Sequence, residues 1–156
     1  MDMNENEIAW AEMSFTSTIL RRAWESELAQ VGLTVPQALV LAFVQGSSEP
    51  LTPMKLSRLM QREPHTISAL LSRMEAQGLI KKEHDLKRRN WVRVLLTEKG
   101  KQAYERQVAA RKVRNITECL SKQELDALNK MNRKLRAKGI QMLRKMLPSP
   151  YDEPLW

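Results

Sequence analysis

Residues 52–100 read TPMKLSRLMQREPHTISALLSRMEAQGLIKKEHDLKRRNWVRVLLTEKG, and the order of helix, helix and hairpin in this stretch decides the fold. Thr52-Pro53 opens the first helix: the threonine oxygen can cap orphan amides, and the proline stands where no N–H is needed. The helix predicted over Pro53 to about Met60 carries Met54, Leu56, Leu59 and Met60 on a mostly apolar side. Gln61-Arg62-Glu63 then forms a short connection before Pro64 restarts a helix, so the two helices must cross steeply. In the second helix Ile67, Leu70, Leu71 and Met74 fall at i, i+3, i+4 and i+7 and make one narrow core stripe. The opposite face carries His65, Ser68, Ala69, Ser72 and Ala76, with Thr66 and Arg73 on one flank.

Small and hydrogen-bonding side chains let a helix backbone approach the floor of a DNA major groove, where Glu and Lys would be more usual on a plain solvent face. A weakly polar surface helix would look similar taken alone, so its neighbours matter. Gly78 sits where a left-handed helix cap is wanted, and Leu79 to Glu83 reads as a strand. A second strand is predicted from Trp91 to Leu96, with Val92, Val94 and Leu96 alternating inward and Trp91, Arg93 and Leu95 on the other face. Between them lies Asp85-Leu86-Lys87-Arg88-Arg89-Asn90, a basic tip. Three consecutive cations repel one another unless a polyanion neutralises them, and a slender basic tip fits a minor groove. A solvated charged turn is the bland alternative. Two helices and a hairpin in this order form a winged helix-turn-helix.

Leu33-Thr34 with Gln37, Thr52 to Met60, Thr66 to Ile80, and Leu96-Thr97-Glu98-Lys99-Gly100 together resemble a MarR-family transcriptional regulator over nearly the whole chain. The most specific elements are the helix exit Met74-Glu75-Ala76-Gln77-Gly78-Leu79-Ile80 and the restart from Leu96-Thr97 to Gly100. One departure stands out: where that family commonly carries an Asp-x-Arg signature in the wing, this sequence has Arg88-Arg89-Asn90, with Asp85 the nearby acidic residue. The resemblance implies terminal helices that interlock into a homodimer, action more as a repressor than as an activator, and a small-molecule effector, often aromatic, between the dimerisation helices and the reading unit. Trp10, Phe15 and Trp24 are available to line such a pocket, although an aromatic stripe at helical spacing also serves as core.

The 156 residues, 42% hydrophobic and 28% charged, bound the chain to one domain with a real core. The net charge of +8 suggests an acidic partner, but its distribution says more. Residues 1–31 hold two basic and six acidic side chains, residues 81–101 eight and three, and residues 111–147 eleven and three. The terminal helical region is therefore more basic than the wing. Trp10, Met13, Ser17, Leu20 and Trp24 recur at alternating three and four residues, as do Leu128, Met131, Leu135, Gly139, Met142 and Met146. Ile8, Ala11, Phe15, Ile19 and Ala23 widen the first stripe beyond a two-helix seam. Pro148 to Trp156, with three prolines, reads as an extended arm.

Catalysis has little material: two histidines, one cysteine, and no CxxC, HExxH, GxSxG, P-loop or dinucleotide fingerprint. Cys119 is expected to be a buried, inert thiol late in a helical stretch, and Ser121 to cap the last helix with Glu124 at its third position. A single cysteine and an acidic N-terminus without signal-peptide layout fit a cytoplasmic protein, and no apolar run approaches a membrane span.

The expected architecture is mainly α with a small antiparallel β-hairpin: a winged helix-turn-helix over 33–100, dimerisation helices over 1–31 and 101–147, and a tail over 148–156. The expected function is a non-enzymatic, cofactor-free homodimer on pseudo-palindromic double-stranded DNA. Pro64, His65, Thr66, Ser68, Ala69, Ser72 and Arg73 would face the major groove, with Thr66, Ser68, Ser72 and Arg73 nearest the base edges. Lys55, Arg62, Lys87, Arg88, Arg89, Asn90 and Arg93 would meet phosphate or the minor groove. A non-specific architectural DNA binder, a membrane-surface protein and a winged-helix interaction module are the alternatives.

Overall fold

The computed structural model describes residues 3–84, 92–110 and 112–146. Its elements are α1 (Glu5–Gln30), α2 (Val35–Gly46), α3 (Pro53–Met60), α4 (Pro64–Ala76), β1 (Ile80–His84), β2 (Val92–Leu96), α5 (Glu98–Ala109), a 3-10 stretch (Val113–Cys119) and α6 (Lys122–Met146). The strands pair antiparallel, from Ile80 opposite Leu96 to His84 opposite Val92, and Leu51 adds a bridge to Val94. This is the mainly α architecture with a β-hairpin that the sequence predicts. The chain divides after Val113 into two compact units.

In the first unit the core gathers Val40 and Leu41 of α2, Leu56 of α3, Ile67, Leu71 and Met74 of α4, Ile80 of β1 and Val94 of β2, with Leu28 at the end of α1. The four-residue stripe of α4 is buried in full, as its spacing requires. Met54, in contrast, is exposed: two residues from Leu56 along the helix, it cannot share Leu56's face. The first strand begins at Ile80 rather than at Leu79, because the Leu79 N–H closes the end of α4 on the Met74 carbonyl at 2.9 Å.

Caps set the element ends. Asn4 accepts from the Asn6 and Glu7 amides, while the Glu7 carboxylate takes the Asn4 N–H at 2.8 Å. Thr52 Oγ1 accepts the Lys55 N–H at 3.2 Å. Between α3 and α4 the chain turns through Gln61 in the left-handed region (φ 51°), a conformation that costs a side-chain-bearing residue free energy. Buried Ser57 offsets that cost: its backbone carbonyl takes the Arg62 N–H at 3.0 Å and its hydroxyl donates to the Arg62 carbonyl at 2.6 Å. The crossing of the two helices is thus fastened from inside α3.

Gly78 ends α4 at φ +70°, where a glycine is least strained. Thr97 then joins three elements: its hydroxyl donates to the Gly78 carbonyl at 2.6 Å and accepts the Gly100 N–H at 3.0 Å, and its own N–H reaches the Leu79 carbonyl at 3.2 Å. Gly100 lies so close beneath this knot that a Cβ there would press into the Leu79 carbonyl oxygen, well inside van der Waals contact. Lys99 adds a hydrogen bond from its ammonium to the Gln77 carbonyl at 2.7 Å.

The second unit holds α6, which starts as the sequence predicts: Ser121 Oγ accepts the Glu124 N–H at 3.3 Å, and the Glu124 carboxylate takes the Ser121 N–H at 2.8 Å. Cys119 corrects an expectation. It closes a 3-10 stretch rather than an α-helix and is exposed, its thiol turned to the Ile116 carbonyl at 2.9 Å, because so short a coil has no apolar side to hide it. Among the described residues no single helix is long and apolar enough to cross a membrane; α1 and α2 pass such a test only as a pair bent by 80°, and α2 supplies the core.

Gly100→Ala is expected to destabilise the protein by about 3 kcal/mol or more, since both partners in the clash are backbone, whereas Thr97→Ala should cost about 1–2 kcal/mol. Urea unfolding followed by circular dichroism checks both values.

Candidate nucleic-acid interface

With Ile67, Leu70, Leu71 and Met74 turned into the core, the outer side of α4 is fixed. His65, Thr66, Ser68, Ala69, Ser72 and Arg73 are all exposed along it, and Pro64 is half-buried at its first turn. The structure therefore brings the seven predicted residues of this helix together on one accessible face. His65 and Thr66 stand at the amino end, where the orphan amides and the helix dipole favour an anion such as phosphate.

The predicted phosphate contacts are placed less uniformly. Lys55, half-buried on α3, makes an exposed ion pair with Glu49 at 3.1 Å, a contact weak enough to give way to a phosphate. Arg62 is exposed in the turn before α4, and Arg93 is half-buried on β2 opposite Glu83. Lys87, Arg88, Arg89 and Asn90 lie outside the described residues. Trp10 and Phe15 of the predicted effector pocket are 68% and 69% exposed, while Trp24 is packed against the core. Trp10 and Trp24 stand fourteen positions apart on α1, about 21 Å at helical rise, so one chain does not bring them together.

Two arrangements at this site escape a reading of α4 alone. The Gln37 side chain reaches from the start of α2 to α4's exit: its amide donates to Gln77 Oε1 at 2.7 Å while its oxygen takes the Thr34 N–H at 2.9 Å and the Thr34 hydroxyl at 3.0 Å. Lys82 of β1 reaches the other way. Its ammonium lies 3.1 Å from Glu75 Oε2 and 3.1 Å from Ser72 Oγ, and its backbone N–H donates to Glu75 Oε1 at 2.9 Å. The backbone hydrogen bond first, and then the ammonium, hold the Glu75 carboxyl below the usual carboxylate range. One signal for Lys82 was available in the sequence: it shares strand parity with core-facing Ile80, so its stem lies on the helix side of the hairpin.

The MarR-family profile matches residues 31–90, the span from the end of α1 through α4 into the hairpin. Over that span the chain is similar to the winged helix-turn-helix of the MarR family. The fold agrees over most of the chain. An organohalide-sensing transcriptional regulator, solved with 2,4-dichlorophenol bound, is 28% identical, with a TM-score of 0.79 over 92% of this chain and 86% of that one. AbsC, a MarR-family regulator from Streptomyces coelicolor, is 21% identical, with a TM-score of 0.79 over 90% and 98%. A mutant MarR from E. coli, solved on operator DNA, is 19% identical, with a TM-score of 0.76 over 86% and 99%. No curated protein matches by sequence. The organohalide-sensing protein and AbsC are both transcriptional regulators.

Glu75's depressed carboxyl gives a pH signature. A group whose folded-state pKa lies below its unfolded value contributes stability above the ordinary value of 4.5 and loses it as pH falls through the lower, folded-state value. Glu75→Gln is therefore expected to lower the thermal midpoint at neutral pH, and the gap from wild type to close across the range in which pH falls from neutral through 4.5 and below. A gap that stays constant across that range would rule out Glu75 as its source.

Proposed function

We propose that this protein is a homodimeric transcriptional repressor that reads a pseudo-palindromic DNA operator, with α4 in the major groove and the basic hairpin tip in the minor groove. The observation that carries this reading is the exposed outer face of α4, which presents small or hydrogen-bonding side chains at every turn and a cation, Arg73, on its flank. A Glu- and Lys-rich face would keep the backbone away from base edges; this one permits close approach. Thr66, Ser68, Ser72 and Arg73 are the candidates for base contacts, and Lys55, Arg62, Arg93 and residues 87–90 for phosphate and the minor groove. The E. coli protein that shares this fold was solved in complex with operator DNA.

Exposed apolar side chains support the dimer. On α1, Ile8, Trp10, Met13, Phe15 and Ile19 face solvent, and on α6 so do Met131, Leu135, Met142 and Leu143. So much apolar surface on two long helices is better buried against a second copy. Two linked reading helices also bind a repeat far more tightly than one. The effector is the finer part of the proposal. The organohalide-sensing relative was solved with a chlorinated phenol, and an aromatic molecule of that class would act here by biasing the spacing of the two reading helices. Its pocket, if it uses Trp10 and Phe15, takes residues from both copies.

Selection from a randomised duplex library at about 0.15 M salt is expected to recover an inverted repeat with half-sites about one helical turn apart. Arg89→Ala should weaken binding to all sequences and reduce the salt slope by about 1, whereas Arg73→Ala should change which base pairs are preferred. Uniform weak binding by the wild type would mean an architectural protein, and none an interaction module.

A further inference from the structure

A serine hydroxyl is an ambiguous reader of base edges, since it donates or accepts equally well. On α4 that ambiguity is reduced from outside the helix. The Lys82 ammonium has donors only, and it sits 3.1 Å from Ser72 Oγ, so at this contact the oxygen must accept. The ammonium is in turn fixed by Glu75, at 3.1 Å, and the backbone of the same lysine holds the other carboxylate oxygen at 2.9 Å. With its side chain only 23% exposed, Lys82 has little freedom to leave. Among the described residues Ser72 Oγ makes no further hydrogen bond, and its proton is available on the exposed side of α4.

We infer that Lys82 is a positioning residue for sequence recognition: anchored on Glu75, it fills one of the two acceptor lone pairs of Ser72 and biases the hydroxyl toward donating, so the base edge that Ser72 favours is an acceptor. Guanine O6 and N7, adenine N7 and thymine O4 are acceptors in the major groove, whereas the amino groups of cytosine and adenine are donors and are disfavoured. The nearby ammonium adds to the discrimination, because a positive charge repels an amino group and attracts a carbonyl oxygen. Lys82 also cancels the Glu75 charge, which would otherwise face the phosphates. The inference rests on the reading of α4 as the major-groove helix.

The test compares wild type, Lys82→Met, Ser72→Ala and the double variant in the same library selection, each first checked for an unchanged circular dichroism spectrum. Wild type is expected to enrich guanine or thymine at one position of each half-site. Lys82→Met should flatten that position by roughly fivefold, the worth of one hydrogen bond, and leave the other positions as they were. Ser72→Ala should flatten the same position, and the double variant should do no more than either alone. Glu75→Gln combined with Lys82→Met should recover overall affinity without recovering the base preference, which a merely structural role for Lys82 would not produce. If the wild type enriches a repeat and Lys82→Met keeps the full base preference at the Ser72 position, whatever happens to overall affinity, the inference fails while the regulator reading stands. If the wild type enriches no sequence, both fail.

Discussion

The structure depends on the close approach of two backbone segments, Leu79 at the exit of α4 and Gly100 in the first turn of α5. No side chain fits between them. The Thr97 hydroxyl exploits that proximity by serving the end of one helix and the start of the next at once, taking the Gly100 N–H and giving its proton to the Gly78 carbonyl. Helix ends leave backbone groups without partners, and here one side chain satisfies groups at both ends. As a result the orientation of α4, the root of the hairpin and the direction of α5 are a single decision. A proposed reading helix needs such a mounting, because its outer face is useful only if the helix does not roll.

A second set of ties sets how α4 is held along its length. Gln37 connects the exit of α4 to the start of α2, Ser57 fastens its entry through the backbone of Arg62, and Lys82 ties its outer edge to β1. All three are polar and all three lie off the apolar stripe. The stripe itself supplies the greater part of the stabilisation, since four large side chains leave water completely or nearly so. The polar ties contribute direction rather than bulk energy. Burial of a stripe permits some rotation about the helix axis, and hydrogen bonds at three points around it do not.

The sequence was most legible where periodicity and caps speak together. The α4 stripe, the Thr52-Pro53 start, the Gly78 stop and the Ser121–Glu124 box all follow from local chemistry, and each is present. Ser57 and Gln61 were not legible, because a buried hydroxyl that rescues a left-handed turn depends on where the Arg62 carbonyl falls once the chain has left the helix. Lys82 was half legible: strand parity put it on the helix side, but its partners on α4 are set by the twist of the hairpin. Cys119 was misread because the expected helix, which would have given it an apolar side, is a short 3-10 stretch. Of the three aromatics grouped as a pocket, Trp10 and Trp24 share a stripe but stand about 21 Å apart along α1, and Phe15 lies off that stripe. In the hairpin tip, residues 87–90 lie outside the described structure, so that part of the site rests on its charge.

As a DNA reader this protein must place the outer face of α4 in a major groove. Methylation interference on a selected duplex tests that placement directly, because a methyl group at guanine N7 blocks the major groove and one at adenine N3 blocks the minor. The expected result is two clusters of guanine interference about one helical turn apart, with adenine interference only flanking them where the hairpins reach. Interference confined to adenines, or spread evenly along the duplex, would contradict the claim and leave α4 as an ordinary surface helix.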